Sequence, residues 1–326
     1  MAKMSKKDYP KHMSLHPPPS SSTIPILFGP TASGKSALAL RLAEKLNNPL
    51  IINADSRQIY QGFPILNACP SAADYIQAPH ALYEFLPPMQ RFSAADYAKK
   101  ASEIIEKALS QGQSPILVGG TGFYLKALMG GLSQIPASHP ALESEIAALP
   151  APQRFAELTR ADPITAAKLH PNDTQRVVRA LVVYRQTGQP LSEWQTGAAA
   201  PNYPWRWLKV GLNPPRAEVH EALRRRWETE NLTRGLLAEI QALAAQGYTG
   251  QEPGLGGLAI PLWLAYARTG VPSWAEVTQK ALEADRQYAK RQYTWLRNSF
   301  GADITIEAPT ADKAVGAILG RLEQGG

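Results

Sequence analysis

The spacing of apolar residues changes several times along the chain, and each change marks an element. Thr23 to Phe28, "TIPILF", is a short apolar run closed by Gly29, the pattern of a strand buried on both faces. From Lys35 to Leu46 the period turns helical, with Leu38, Leu42 and Leu46 in one stripe beside Ala39 and Ala43. "PLIINAD" reads as a second buried strand ending at Asp55, and "SPILVGG" as a third ending in glycines at Gly119. Between them, Ala94 to Ser110 predicts a helix stopped by Gln111-Gly112, and "TGFYLKAL" opens another. Short apolar strands alternating with helices predict an α/β fold, a parallel sheet core covered by helices. Ligands of such sheets bind at the carboxyl ends of the strands, so Gly29, Asp55 and Gly119 are expected to line one crevice.

From about Ser133 the strand-like runs vanish, and Ala-, Glu- and Arg-rich helical segments follow one another between proline-containing turns. Residues 133–204 therefore read as a helical insertion domain. "WRWLKVGL", Trp205 to Leu212, returns to the sheet as a strand, and helices follow over Ala217–Arg226, Arg234–Gln246 and Glu276–Asn298. The α/β core thus comprises 23–132 and 205–310, leaving 311–326 as a C-terminal segment. Residues 1–22 carry lysine, proline and serine without an apolar stretch, which predicts a disordered basic tail rather than a signal peptide.

Composition narrows the picture only a little. A chain of 326 residues with net charge +7 has room for a core plus an insertion, and its charge favours a polyanionic partner without naming one. The single cysteine, Cys69, excludes an intrachain disulfide and a multi-cysteine zinc site and fits a reducing compartment. No run of eighteen apolar residues occurs, so no membrane span is expected and the cytoplasm is the expected location.

The candidate chemistry starts at Gly29–Ser36, "GPTASGKS", which has the form G-x-x-x-x-G-K-S between a predicted strand and a predicted helix. Glycines there let backbone N–H groups approach oxyanions, Lys35 adds charge, and the Ser36 hydroxyl can ligate Mg²⁺. The loop implies phosphate binding but not a nucleotide. An NTPase usually places an Asp after a buried strand to hold Mg²⁺, whereas "PILVGG" ends in glycines and Asp55 runs into "SRQIY". Pyrophosphate on any carbon skeleton meets the same physical demand, and composition and spacing leave the ligand open.

Taken together, "GPTASGKS", "IINADSRQIYQG", "PILVGGTGFYLKAL", "HPNDTQRVVRAL" and "RQYAKRQYTWLRN" resemble the tRNA dimethylallyltransferases (tRNA isopentenyltransferases), block by block from about Ile24 to Asn298. The resemblance implies a P-loop NTPase-like core. It also implies transfer of a dimethylallyl group from dimethylallyl diphosphate to N6 of the adenosine immediately 3′ of the anticodon, in tRNAs reading codons that begin with U. On this resemblance Gly29, Pro30, Thr31, Ala32, Ser33, Gly34, Lys35 and Ser36 hold the diphosphate, with Mg²⁺ at Ser36. Asp55 is the catalytic carboxylate, assisted by Thr31 and Arg226. Two segments match the family's tRNA contacts: Asp55, Ser56, Arg57 and Gln58, and Gln175, Arg176, Val177, Val178 and Arg179. The implied partners are the anticodon stem-loop of tRNA and the prenyl donor, with the protein acting as a monomer.

Several positions depart from the family pattern. "ILNACP", Ile65 to Pro70, stands where "IGTAKP" is usual, and the run between Arg226 and Gly235 is one residue longer. Asp285-Arg286-Gln287 replaces Thr-Arg-Gln. On a helix, Arg286, Lys290 and Arg297 would lie close to one face, suited to a phosphate track, while Tyr288 and Trp295 are expected in the core. Three rivals remain: an adenylate dimethylallyltransferase acting on free AMP or ATP, a P-loop kinase of a small metabolite, and an RNA-binding protein that has lost its activity.

Overall fold

The computed structural model describes residues 22–133, 135–197, 200–257, 259–307 and 311–324. In chain order its elements begin β1 (Ser22–Phe28), α1 (Lys35–Ala43), β2 (Pro49–Asn53), α2 (Ala72–Gln77), β3 (His80–Ala81), α3 (Ala94–Ser110), β4 (Ser114–Gly119) and α4 (Gly122–Gly130). Five helices follow: α5 (Pro140–Ala148), α6 (Ala151–Ala161), α7 (Pro163–Ala166), α8 (Thr174–Thr187) and α9 (Leu191–Trp194). The chain then forms β5 (Trp205–Leu212), α10 (Arg216–Arg225), α11 (Asn231–Thr233), α12 (Leu236–Ala245), α13 (Ile260–Thr269), α14 (Trp274–Trp295), β6 (Ile304–Ile306) and α15 (Ala311–Gln324).

Two compact units result, Met1–Tyr124 with Tyr203–Gly326, and Leu125–Asn202. In the first, the described residues form a six-stranded sheet ordered β3-β2-β4-β1-β5-β6, parallel throughout. β1 is central, pairing Ile26 with Leu117 of β4 on one side and with Lys209 of β5 on the other. Its apolar run is buried because helices cover the sheet. Leu38 and Leu42 of α1 pack with Leu27, Ile116, Val118 and Val210, and Val315 and Ile318 of α15 complete this cluster. A second cluster joins Ile59 and Phe63 to Leu223, Trp227, Ile240, Trp263 and Val277 from the helices after β5.

The strands at Trp205–Leu212 and Ser114–Gly119 and the helix Ala94–Ser110 lie where the hydrophobic pattern predicts. Ser93 and Asp96 form a capping box that starts α3. Other elements differ. α1 stops at Ala43, three residues short of Leu46, and β2 stops at Asn53, so Asp55 sits in the loop beyond. The segment 311–326, set apart from the core on sequence grounds, instead supplies α15, whose apolar stripe the sheet buries. The expected tail lies outside the described residues up to 21, and Ser22 already belongs to β1.

After α10 the helix does not end at Arg226 but widens into a π-helical turn, Arg226–Glu230, before α11. A π turn accommodates one additional residue in a helix. This one falls within the run between Arg226 and Gly235. A second π turn, Leu296–Phe300, follows α14.

The second unit begins at Leu125, eight residues before the predicted insertion boundary at 133. Its core gathers Ile146, Leu158, Val177, Val178, Leu181 and Val182. Arg154, buried beneath these helices, donates through Nη1 to the carbonyls of Ala147 and Leu149 at 2.6 and 2.5 Å.

Candidate active site

β1 ends at Phe28, and the loop Gly29–Gly34 delivers the chain to α1. Gly29 has no room for a side chain: a Cβ would stand 2.6 Å from the Leu212 carbonyl oxygen. Ala32 and Gly34 adopt left-handed backbone, at φ 60° and 84°. Such turns bring successive N–H groups together into an anion-binding nest. The first N–H groups of α1 have no helical carbonyl to bond and add to it.

β4 lies between β1 and β2 in the sheet, so the residues ending β4 stand between the loop and Asp55. They are glycines for steric reasons. A Cβ on Gly119 would lie 2.1 Å from the Ala54 carbonyl, and one on Gly120 would lie 2.0 Å from Gln292 Nε2 and 3.2 Å from Asp55 Oδ2. The absence of side chains there opens one crevice to both flanks. Its walls include Thr31, Lys35, Asp55, Arg57, Arg226 and Tyr288, and it encloses about 890 Å³ including its open mouth.

Asp55 is held from behind. Asn53, fully buried, accepts from the Asp55 N–H at 2.8 Å and donates to the carbonyls of Asp55 and Leu82. Asp55 Oδ1 accepts from the Arg57 N–H at 3.0 Å, which leaves Oδ2 on the Gly120 side. Thr121 Oγ1 accepts from the Ser56 N–H at 2.9 Å and fixes the next residue.

The positive charges are placed by the loop itself and by distant segments. Lys35 Nζ donates to the Pro30 carbonyl at 2.7 Å, folded back along its own loop. Burial pulls its pKa down to about 8; Asp55 opposes the shift and Arg226 adds to it. Arg226 Nη1 donates to Thr31 Oγ1 at 3.1 Å. Burial lowers the Arg57 pKa, and Asp55 partly offsets it. Arg57 Nη1 donates to the Gly256 carbonyl at 2.7 Å, while its Nε and Nη2, like Ser33 Oγ, are buried without a protein partner. Unpaired buried donors beside a cationic loop suit an oxyanion ligand.

A magnesium ion fits this donor set. The described residues hold no cluster of three or more His, Cys, Asp or Glu side chains, so Mg²⁺ here would draw most ligands from phosphate oxygens and water. The exposed Ser36 hydroxyl, one residue into α1, offers a protein oxygen at the crevice wall.

The other expected site residues divide. Gln175 and Arg176 are exposed near the start of α8, and Arg176 pairs with Asp173 at 2.5 Å. Arg179 is half-buried and donates to Ser138 Oγ at 2.5 Å and the Pro136 carbonyl at 3.1 Å. Val177 and Val178, carried over with this block as tRNA contacts, are instead buried in the core of the second unit, because helical periodicity turns them away from Gln175 and Arg176. The expected phosphate track also divides: Lys290 lies with Gln287, Arg291 and Thr294, whereas Arg297 lies with Arg216 and Tyr293. Trp295 packs on Phe28 with ring centroids 4.5 Å apart, as a core residue should, but Tyr288 faces the crevice.

Gln292 carries no signal in the sequence. It is 3% exposed; its Oε1 accepts from the Thr31 N–H at 2.7 Å and its Nε2 donates to the Gly120 carbonyl at 2.9 Å. Asp285 is one of the departures from the family pattern. It is buried on the crevice wall, where it accepts from Trp227 Nε1 at 2.8 Å, and burial raises its pKa.

A phosphate loop at the carboxyl edge of a helix-covered parallel sheet defines a P-loop α/β protein. The model of the family described as "IPP transferase" matches residues 58–299, and the chain belongs to that family. Among its relatives is a tRNA dimethylallyltransferase of Rhodospirillum centenum, 43% identical over 87% of this chain and 91% of that one. One of Halorhodospira halophila is 41% identical over 91% and 99%. The tRNA isopentenylpyrophosphate transferase of Bacillus halodurans superposes with a TM-score of 0.66 at 26% identity, covering 93% of this chain and 98% of that one. A eukaryotic dimethylallyltransferase, solved acting on tRNA, reaches 0.75 at 25% identity over 92% and 77%.

Proposed function

We propose that this protein transfers a dimethylallyl group from dimethylallyl diphosphate to N6 of the adenosine immediately 3′ of the anticodon, in tRNAs reading codons that begin with U. The observation that carries this reading is the shared crevice: an oxyanion cradle and an unencumbered carboxylate oxygen on opposite sides of two glycines. The family membership and the names of the relatives support it.

The donor's diphosphate seats on Gly29–Ser36, against Lys35 and the Arg226–Thr31 pair. The Ser36 hydroxyl would hold a Mg²⁺ ion, which would supply charge neutralisation of the diphosphate. As the allylic C–O bond breaks, charge grows on the departing oxygen, beside the Lys35 and Arg226 cations and the N–H groups of the loop. The adenine N6 is a poor nucleophile because its lone pair is delocalised into the ring. Asp55 Oδ2 accepts a hydrogen bond from the amine and takes its proton as the new N–C bond forms. The proton ends on Asp55 and the bonding pair of the broken bond on the diphosphate.

A base inside a stem-loop reaches such a crevice only by leaving its stack. Arg57 and Gln58 beside Asp55, and Gln175 and Arg176 on α8, supply side chains that contact phosphate or base edges. The anticodon stem-loop is the portion of tRNA bound, and the protein acts as a monomer. Among the described residues no helix is long and apolar enough to cross a membrane.

The deciding experiment is mass spectrometry of nucleosides from tRNA incubated with the protein, dimethylallyl diphosphate and Mg²⁺. Appearance of N6-(dimethylallyl)adenosine is expected. Label entering only AMP, phosphate transfer from ATP without prenylation, or tight tRNA binding without turnover would each replace this reading with one of its rivals.

A further inference from the structure

Residues 64–68 form a single helical turn. The N–H groups of Asn67, Ala68 and Cys69 return to the carbonyls of Phe63, Ile65 and Pro64 at 3.2, 3.1 and 2.8 Å. Such a turn leaves its leading N–H groups without a local carbonyl. Here those of Ile65 and Leu66 donate to Oε2 and Oε1 of Glu239 on α12, each at 2.8 Å. At the other end Arg234 Nη2 donates to the Cys69 carbonyl at 3.3 Å. A carboxylate thus caps the amide end and a guanidinium the carbonyl end, the polarity that a helical dipole favours. The turn's own residues, Pro64-Ile65-Leu66-Asn67-Ala68, bring no charge, so both charges come from the α11–α12 region.

What is held matters to the crevice. Leu66, Asn67 and Ala68 form part of its wall. Gln58 Nε2 donates to the Ala68 carbonyl at 2.6 Å, so the orientation of Gln58, the residue after the Asp55–Arg57 turn, depends on the 64–68 turn. We propose that Glu239 is a positioning residue for the prenyl transfer: its carboxylate fixes the 64–68 turn that walls the crevice and, through Ala68, the Gln58 side chain. This rests on the functional reading above.

The group is poised to titrate. Burial pushes the Glu239 pKa up to about 7, the Ile65 and Leu66 N–H groups and Arg234 pull it down, and Glu84 raises it. The Cys69 thiol, also nearby, is kept neutral by burial. Once protonated, the carboxyl carries a hydroxyl that donates, and it no longer caps two N–H groups equally. Its folded pKa exceeds the ordinary carboxylate value, so between about 7 and 4.5 the folded state binds the extra proton and this group adds stability as pH falls. Weaker positioning without lower stability separates this role from a merely structural one.

The test compares the full chain with Glu239→Gln. The variant is expected to exchange the Ile65 and Leu66 amide hydrogens about tenfold faster while the sheet amides stay unchanged, as for the loss of one charge-assisted hydrogen bond. In the wild type, KM for tRNA should rise as pH falls through 7 at nearly constant kcat and undiminished Tm. In the variant KM should be about tenfold higher and flat across that range. Unchanged amide exchange and an unchanged pH profile would overturn the inference. Should the variant not fold, the Ile65 and Leu66 amide resonances of the wild type must titrate near pH 7, and their failure to do so overturns it equally. If the wild type prenylates nothing, the functional reading falls, while amide exchange still decides whether Glu239 holds the turn.

Discussion

Arg226 Nη1 donates to Thr31 Oγ1 at 3.1 Å, although 195 residues separate the two. The second cation of the site is therefore docked on the phosphate loop before any ligand arrives, and the π turn it begins sets its direction. Preorganised charge of this kind costs no reorganisation during reaction. Arg226→Ala should lower kcat/KM for the donor by about 10²–10³-fold with tRNA affinity unchanged. Arg226→Lys should recover little, since lysine lacks the planar fork that sets Thr31 and a phosphate oxygen in one fixed geometry. Steady-state kinetics with varied donor checks both, and an undiminished kcat/KM would remove Arg226 from the site.

Asp55→Ala should reduce turnover by about 10²-fold or more and leave diphosphate binding largely intact, the usual consequence of losing a general base. Asp55→Asn is the sharper variant. It preserves the bond to the Arg57 N–H at the side-chain oxygen but offers no site for the amine proton. Single-turnover rates alongside calorimetric diphosphate affinity separate the two effects. Equal loss in both quantities would make Asp55 a binding residue instead.

Much of this site was legible in the sequence because its logic is local. Glycines at strand ends, a lysine after a glycine turn and an apolar run ending near an Asp each follow from a few adjacent residues. Gln292, Asn53 and Glu239 were not legible, since a polar residue on a helix or strand end reads as surface until the partner is known. Their partners lie 261, 29 and 174 residues away. The block Gln175–Arg179 divides for the opposite reason. Five consecutive helical residues cannot all face one ligand, and the two valines show which face is inward. β3 and α15 escaped notice for different reasons, β3 being only two residues long and α15 showing its apolar stripe only against α1 and β5.

Lys35 makes donor binding depend on pH. Its folded pKa, about 8, lies below the ordinary lysine value of 10.5, so above about 8 Lys35 loses its charge in the free site. A bound diphosphate favours the charged form and draws a proton in. Donor affinity should therefore fall about tenfold for each pH unit above 8, and binding at pH 8.5 should take up a proton. Calorimetry in buffers of different ionisation enthalpy counts that proton. Stability shifts the other way: between about 8 and 10.5 the unfolded chain holds the proton more tightly, so this group adds stability as pH rises. Lys35→Met should abolish the pH dependence of donor binding.

Gln292 and Gly120 should be energetically coupled. The Gln292 amide bridges the Thr31 N–H and the Gly120 carbonyl, linking the phosphate loop to the glycines beside Asp55. Gln292→Ala strands both buried backbone groups and should cost about 2–4 kcal/mol of stability. Gly120→Ala should be worse in the wild-type background, because its Cβ would stand 2.0 Å from Gln292 Nε2. Removing the amide also removes that clash, so the double variant should be more stable than the sum of the single losses predicts, by about 1–3 kcal/mol. Its activity should stay low even so, since the new methyl would still crowd Asp55 Oδ2 at 3.2 Å. Urea denaturation of the four proteins measures the coupling directly. Strict additivity would show that the amide and the glycine act independently and that close packing at this point does not shape the crevice.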